Sequence, residues 1–509
     1  MAEQQEMQQP HTNAAVDIRK QENNASGAAT SAPAPMAFER RMDARLICSF
    51  AAVGLAAAAG IVVETAMNVT LPVLSQEFGV STGDVQWVTT AYLLTIACVI
   101  SAFSYLQRRF TARTLFAALL TSFAVGIVLA AAAPTFEVLL AGRIVQGIAG
   151  GIALPLLFNI VLTQVPYNRM GFLMGFGTLI ASVAPGVGPF IGGVVLSAFG
   201  WRAIFLVLLP VLVISALLGL PTMRQATPTE RTRFNTPDFI LLAVCYVCLV
   251  LGVNQASAGG WGSPTVIAPI LTAVVLALIF YKRSMSSQNP LIRVEVLRTA
   301  PFTLTLVVIL LVQFTTLSLG YLVPNYAQLS LGAGASLAGC LLLPGCIVGS
   351  CFSPISGRIA DRIGFTKPIL LGNVFIIAAT AGMALLGVHL PVWGVAALYA
   401  IYALGQGFTM GNSMTNGLSC LSHELSADGN AVINTLQQLS GAVGTAVTSS
   451  IVAGAQAAAG SNTAAGTAAG AQMAFVLFLV LACVIIACTI AANLLRRQAR
   501  REARHPAAR

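Results

Sequence analysis

The chain has 509 residues, of which 57% are hydrophobic and only 9% charged. A soluble domain carries about 25% charged residues, so a chain built mainly of soluble domains is excluded, and this one reads as an all-α polytopic membrane protein. The formal net charge of +10 is spread over short loops rather than one basic face, which fits membrane topology and argues against nucleic acid as a partner.

In chain order, residues 1–41 read as a disordered cytoplasmic tail, rich in Gln, Ala, Ser, Asn and Pro. They lack the basic-then-apolar order of a signal peptide. A helix needs about 20 apolar residues to cross the hydrocarbon. Fourteen stretches qualify, near 46–70, 85–106, 114–133, 138–161, 170–198, 203–221, 239–255, 265–281, 301–323, 336–356, 368–388, 391–414, 430–456 and 472–495. Residues 496–509 form a basic cytoplasmic tail.

The basic residues test this count. With both termini cytoplasmic, all 27 Lys and Arg except Arg143 and Arg202 fall on the cytoplasmic side, as the positive-inside rule requires. A missed or extra helix would invert every later loop. SYLQRRFTAR after the second stretch and GRIADRIGFTK after the tenth form an internal repeat. The repeat divides the chain into an amino-terminal six-helix bundle (42–224), a linker with two inserted helices (225–298) and a carboxyl-terminal six-helix bundle (299–495). Repeats of this kind mark secondary transporters, with the substrate site near the midplane between halves.

Of the 17 acidic residues only Glu64 lies deep in an apolar run, and the one deep basic residue is Arg143. A charge at bilayer depth costs about 2.5–3.5 kcal/mol even on the mildest scale, so each requires a partner, a proton or a wet cavity. Glu64 stands about 12 Å below Pro72, and Arg143 about 9 Å below Glu137, if those residues end their helices. The two are therefore expected to share one cavity. Asn68 and Gln146 follow Glu64 and Arg143 by four and three residues, on the same helix faces. Tyr92, Gln313, Asn373 and Gln437 are further polar groups in apolar runs, each equally suited to a cavity wall or to bonding a neighbouring helix. The plainer reading of Glu64 and Arg143 is a static ion pair locking two helices. Asp428 and Glu424 read as solvated loop charges.

Most of the ten cysteines sit in apolar runs and read as small packing residues; Cys245 and Cys248 form a CxxC with no histidine nearby. No GxxxxGK[ST] phosphate loop is present, so energy is expected from an ion gradient, with no cofactor. The four histidines, His11, His389, His423 and His505, form no cluster along the sequence, which argues against a membrane enzyme.

SVAPGVGPFIGG, residues 182–193, carries a GPxxGG motif at Gly188, Pro189, Gly192 and Gly193. Small residues permit close helix contact and Pro a kink. GRIADRIGFTK places Gly357, Asp361, Arg362 and Gly364 at a helix end, where its glycine is expected to allow close packing and its charges to latch neighbouring helices. With these motifs, VETAMNVTLPVL, WVTTAYLLTIA, RIVQGIAGG, GWRAIF, LGAGASLAGCLLLPG and GNAVINTLQQLSGAVGTA make the chain resemble, from about Leu46 to Leu495, the major facilitator superfamily. Within it the chain is similar to the fourteen-helix drug:proton antiporter branch (EmrB/QacA-type). Glu64 stands where that branch usually has Asp. In the amino-half loop motif Ser104 replaces the leading Gly, Arg108 occupies the acid position and Thr111 replaces a later Gly.

The resemblance implies a proton-coupled exporter of drugs or toxic compounds in the bacterial cell membrane, working by alternating access. Its partners would be protons, membrane lipid and a small lipophilic or amphipathic molecule, with a periplasmic adaptor left open. Glu64, Arg143, Asn68, Gln146, Tyr92 and Gln313 would form the coupling and substrate cavity. A dedicated metabolite or bile-salt exporter is the alternative, and a nutrient symporter a more distant one.

Overall fold

The computed structural model describes residues 42–226, 228–229, 234–256, 260–287, 291 and 293–504. The expected amino-terminal tail, part of the linker and the last five residues of the basic tail lie outside them. Every regular element among the described residues is helical. This is the outcome a bilayer dictates, because only an intrahelical ladder satisfies the backbone where no water is available.

The helices are α1 (Ala44–Phe78), α2 (Trp87–Arg109), α3 (Ala112–Ala131), α4 (Phe136–Gln164), α5 (Tyr167–Phe199) and α6 (Trp201–Gly219). An inserted pair follows, α7 (Thr236–Asn254) and α8 (Pro264–Ser286). The later helices are α9 (Ala300–Leu329), α10 (Ala335–Ile363), α11 (Thr366–Leu386), α12 (Val392–Leu418), α13 (His423–Ala459) and α14 (Thr463–Arg504). Thirteen of these are long and apolar enough to cross a membrane, and α5 contributes the shorter apolar stretch Val183–Phe199 among its described residues.

Local chemistry sets the ends. Asp43 caps α1 by accepting the Leu46 amide at 2.9 Å, and Thr111 caps α3 by accepting from Thr114 at 3.1 Å. The sequence suggested that α1 stops at Pro72, yet the helix runs through it to Phe78 and ends at Gly79, whose φ of 64° suits glycine. A proline inside a membrane helix is tolerated because neighbouring helices satisfy the freed carbonyl.

α1 packs on α4, α5 and α6, and α4 also packs on α2 and α3. In the later half, α9 packs on α12, α13 and α14, α10 on α12, and α11 on α12 and α14. The two groups meet through α2 with α13, α5 with α10, and α1 with α9. Taking α10 and α13 as the second and fifth helices of the later half, these contacts are reciprocal, as a repeated architecture requires. The inserted α7 and α8 pack on each other, with Cys245 Sγ donating to the Ala273 carbonyl at 3.2 Å, and α7 rests against α2 and α13.

Basic residues collect on one face, where ion pairs hold helix ends together. Arg224 meets Asp43 at 2.6 Å, and Arg283 meets the fully buried Asp238 at 2.7 Å. On the opposite face Arg202 pairs with Glu77 at 2.8 Å and lies over Trp201, whose indole N–H donates to Glu77 at 2.6 Å.

Candidate functional site

The site begins with how α4 approaches α2. In RIVQGIAGG the glycines turn toward α2: a Cβ at Gly147 would stand 2.9 Å from the Tyr92 carbonyl oxygen, and one at Gly150 would stand 2.8 Å from the Tyr92 hydroxyl. Their absence of side chain lets α4 lie directly on Tyr92, which brings Arg143 and Gln146 beside it.

Arg143 is fully buried. Its Nε donates to the Val88 carbonyl at 3.0 Å, and its Nη1 donates to Gln146 Oε1 at 2.7 Å. The guanidinium lies over the Tyr92 ring, 4.2 Å from the centroid, a cation–π contact strengthened by desolvation. The Tyr92 hydroxyl donates to the Gly60 carbonyl on α1 at 3.0 Å, one turn before Glu64. Gly126 of α3 makes the room that Gln146 occupies.

Two donors of this cluster, Arg143 Nη2 and Gln146 Nε2, are buried without a hydrogen-bond partner. Glu64 is 8% exposed. Its carboxylate and the Arg143 guanidinium act on each other's charge, but among the described residues Glu64 makes neither an ion pair nor a side-chain hydrogen bond. The static ion pair considered from sequence is therefore not formed in this conformation. A carboxylate without a hydrogen-bonding partner and two vacant donors thus lie on the packed helices α1 and α4, with Tyr92 between them, and are not joined.

Asn68 lies one turn beyond Glu64, toward the opposite face. Its side-chain oxygen accepts from Thr89 at 3.2 Å, and its carbonyl accepts from Asn325 Nδ2 of α9 at 3.2 Å. Gln328 adds a bond to the Val69 carbonyl at 3.1 Å. Ser197 of α5 and Ser336 of α10 meet at 2.7 Å, and Ser336 donates to the Gly193 carbonyl at 3.3 Å. Among the described residues, these are the hydrogen bonds that join 42–224 to 299–495. All lie between Glu64 and the opposite face, so Glu64 is covered from that side. Asn325, Gln328 and Ser336 were not singled out from sequence, because polar residues near a helix end look like ordinary boundary residues.

The GPxxGG segment is packed on both halves. A Cβ at Gly188 would stand 2.7 Å from the Val62 carbonyl oxygen, and one at Gly192 would stand 2.7 Å from that of Ala66. These contacts bracket Glu64 on α1. Gly193 and Pro189 face Ala335 and Gly339 of α10. One motif thus clasps the acid-bearing helix and the facing half together.

Other sequence candidates lie elsewhere. Gln313 accepts from Gln437 at 3.2 Å, linking α9 to α13. It is two turns from Gly320, which faces Asn68, and so stands about 10 Å nearer the basic face than Asn68. Asn373 does not line a cavity: it is fully buried, donates to Thr489 at 2.8 Å and accepts from Thr409 at 3.1 Å. Gly357 has open space where its Cβ would be, so the expected close packing there is absent. Asp361 and Arg362 are exposed and form no ion pair among the described residues, so the expected latch is not engaged. Gly364 ends α10 with φ 84°, a conformation that favours glycine. Asp428 is not a solvated loop charge but a residue of α13, paired with Arg293 at 3.7 Å.

A family model described as the Major Facilitator Superfamily matches residues 53–445. The chain is 33% identical over 402 residues to the lincomycin resistance protein LmrB of Listeria monocytogenes, covering 79% of this chain and 85% of that protein. It is 29% identical over 451 residues to a multidrug resistance protein B homolog of Mycobacterium tuberculosis, covering 86% and 82%. A crystal structure of a POT family transporter in complex with a thioalcohol-conjugated peptide superposes with a TM-score of 0.63 at 14% identity, covering 89% of this chain and 96% of that one. On the family match and these relatives, the chain belongs to the major facilitator superfamily and is a multi-pass membrane transporter, not an enzyme.

Proposed function

We propose that the chain exports drugs or similar amphipathic small molecules in exchange for protons, by alternating access across the cell membrane. The resistance proteins it resembles support the substrate class. The observation that carries proton coupling is the unpaired Glu64 carboxylate beside the vacant donors of Arg143 and Gln146.

In this reading the basic face and both termini are cytoplasmic, and residues 42–224 and 299–495 rock about the site with 225–298 as an insert. The hydrogen bonds between the halves would then lie on the outer side of Glu64. A cationic substrate competes with a proton for Glu64. When Glu64 is charged and empty, Arg143 Nη2 and Gln146 Nε2 offer it hydrogen bonds that offset its desolvation. When it is protonated, that attraction falls away and α1 is released from α4. Chain residues alone supply this chemistry, and the proton gradient supplies the energy. Apart from tyrosines and cysteines, the membrane interior of the later half carries no ionisable group, so substrate charge is handled on the amino side.

The test is proton-gradient-driven efflux of a cationic dye in everted vesicles, wild type beside Glu64→Gln. Dye movement that an uncoupler abolishes and that the correctly inserted Gln variant lacks is the expected result. Equal transport by both would remove Glu64 from the mechanism.

A further inference from the structure

α14 does not stop where its apolar span does. The span runs Thr463–Arg496, and the helix continues to Arg504, so about two further turns stand beyond the hydrocarbon. Arg496 fixes how the helix leaves the bundle. Its Nη1 donates to the Asn416 side-chain oxygen and its Nη2 to Ser419 Oγ at 3.1 Å, both at the basic end of α12. The side of α14 away from Arg496 is its outward face, where Met473, Val476, Val480, Val484, Ile490 and Leu494 are exposed.

Helical spacing carries this outward face directly into arginines. Arg497 and Arg501 stand seven residues after Ile490 and Leu494, two turns further along the same face, and Arg504 follows Arg497 by seven. Arg500 adjoins them, three residues after Arg497. The one acid in this segment, Glu502, has no arginine three or four residues away, so the stripe is not neutralised along its own helix. Arg497 lies about 4.5 Å beyond Leu494 and Arg501 about 10 Å beyond it. The polar layer on each side of a bilayer is about 5–8 Å thick, and an arginine stem reaches several ångströms back toward it. A face that touches acyl chains thus turns basic at the depth of the headgroup phosphates. The positive-inside rule counts charges in a loop; it does not require that they continue the lipid-facing register of a helix.

We propose that the extension of α14 is a binding surface for anionic phospholipid headgroups, with Arg497 and Arg501 as the phosphate ligands and Arg500 and Arg504 flanking them. A guanidinium holds two phosphate oxygens at once, and a headgroup of net negative charge is drawn to a basic juxtamembrane segment as a zwitterionic one is not. Because Arg496 bonds the end of α12, a lipid held here steadies the basic ends of α14 and α12 together.

The test uses the full chain with its ten native cysteines replaced and a fluorophore on Leu494→Cys, on the outward face one turn inside Arg497. The protein is reconstituted in phosphatidylcholine vesicles that carry the same mole fraction of brominated phosphatidylglycerol or brominated phosphatidylcholine. Quenching is expected to report a local preference for phosphatidylglycerol of about fivefold or more. The preference is expected to fall close to one in Arg497→Gln with Arg501→Gln. It is expected to persist in Lys282→Gln with Arg298→Gln, which removes two exposed positive charges elsewhere on the basic face. No preference in the parent protein, or a preference that survives loss of Arg497 and Arg501, would overturn the proposal. An equal loss in the Lys282 and Arg298 pair would overturn it too, because the attraction would then belong to the whole basic face. The vesicles have the same lipid in both leaflets and no substrate is added, so the outcome is independent of the drug-export reading and of orientation.

Discussion

Two buried polar clusters, one in each half, are built in opposite ways. In the later half Asn373 uses both ends of its amide, to Thr489 and Thr409, and the Tyr402 hydroxyl donates to the Val312 carbonyl at 3.0 Å and meets Thr316 at 2.9 Å. Those groups are neutral and satisfied. In the amino half the charged pair is left open, with Glu64 free and one donor each on Arg143 and Gln146 vacant. A satisfied buried network rigidifies, whereas an unsatisfied one is held at a free-energy cost that a second conformation or a ligand relieves. The difference is the one expected between a structural cluster and the proposed coupling site.

Removing Arg143 breaks the comparison most severely. Arg143→Leu takes one bond from the Val88 carbonyl, strands the Gln146 amide and leaves Glu64 without a facing charge. A buried carboxylate with no cation facing it is hard to keep charged, so efflux is expected to fall by about a hundredfold or more. Arg143→Lys keeps the charge but not the planar fork that serves Val88, Gln146 and the Tyr92 face together, and it is expected to restore only a small part. Efflux at the wild-type rate in Arg143→Leu would mean that the open pair is not the working site.

A milder break comes at the clasp. Gly192→Val places a branched side chain where a Cβ already stands 2.7 Å from the Ala66 carbonyl oxygen. Overpacking of this kind costs about 1–3 kcal/mol, and it falls on the conformation closed toward the opposite face. A thiol reagent applied from that face to Asn68→Cys is expected to react about tenfold faster or more in the Gly192→Val background, since about 1.4 kcal/mol shifts a population tenfold. An unchanged labelling rate would show that the clasp does not hold this face shut.

Much of this was legible because the bilayer imposes simple rules. Apolar length located the helices, and the high cost of intramembrane charge marked Glu64 and Arg143. Helical spacing then put Gln146 on Arg143's face, where the structure has it bonded. Contacts across the halves were not legible. Asn325 and Gln328 bond backbone carbonyls of α1, which carry no residue-specific signal. Pro72 suggested a helix end that tertiary packing overrides. Asp428 reads from sequence as a loop charge, yet α13 runs through it with Gly429 set against Leu418, Leu421 and Phe302. The intact loop motif at Gly357 suggested an engaged latch, but a motif specifies a contact in one conformation, and this one has it open.

The Asn373 cluster sharpens the comparison with a smaller effect. Asn373→Ala removes two interhelical bonds, each worth about 0.6 kcal/mol on average in a membrane protein, and it leaves Thr489 and Thr409 partly unsatisfied. A stability loss of about 1–2 kcal/mol in detergent is expected, with efflux per inserted molecule unchanged. Slowed efflux from a normally stable variant would erase the distinction between scaffold and site.

The smallest effect belongs to the Asp43 cap, on neither polar core. Its carboxyl is held below the ordinary value of 3.8, first by the Leu46 amide it accepts and then by the charge and hydrogen bond of Arg224. Because the folded form favours the carboxylate, the stabilisation is complete above pH 3.8 and disappears as pH falls through the lowered folded value. The Asp43 side chain is 37% exposed, so solvent screens much of this. Thermal unfolding of Asp43→Asn is therefore expected to track wild type closely at neutral pH, because Asn still caps, and to converge with it below the carboxylate range. A gap that widened as pH fell would mean that Asp43 contributes through its protonated form, contrary to the charge arrangement around it.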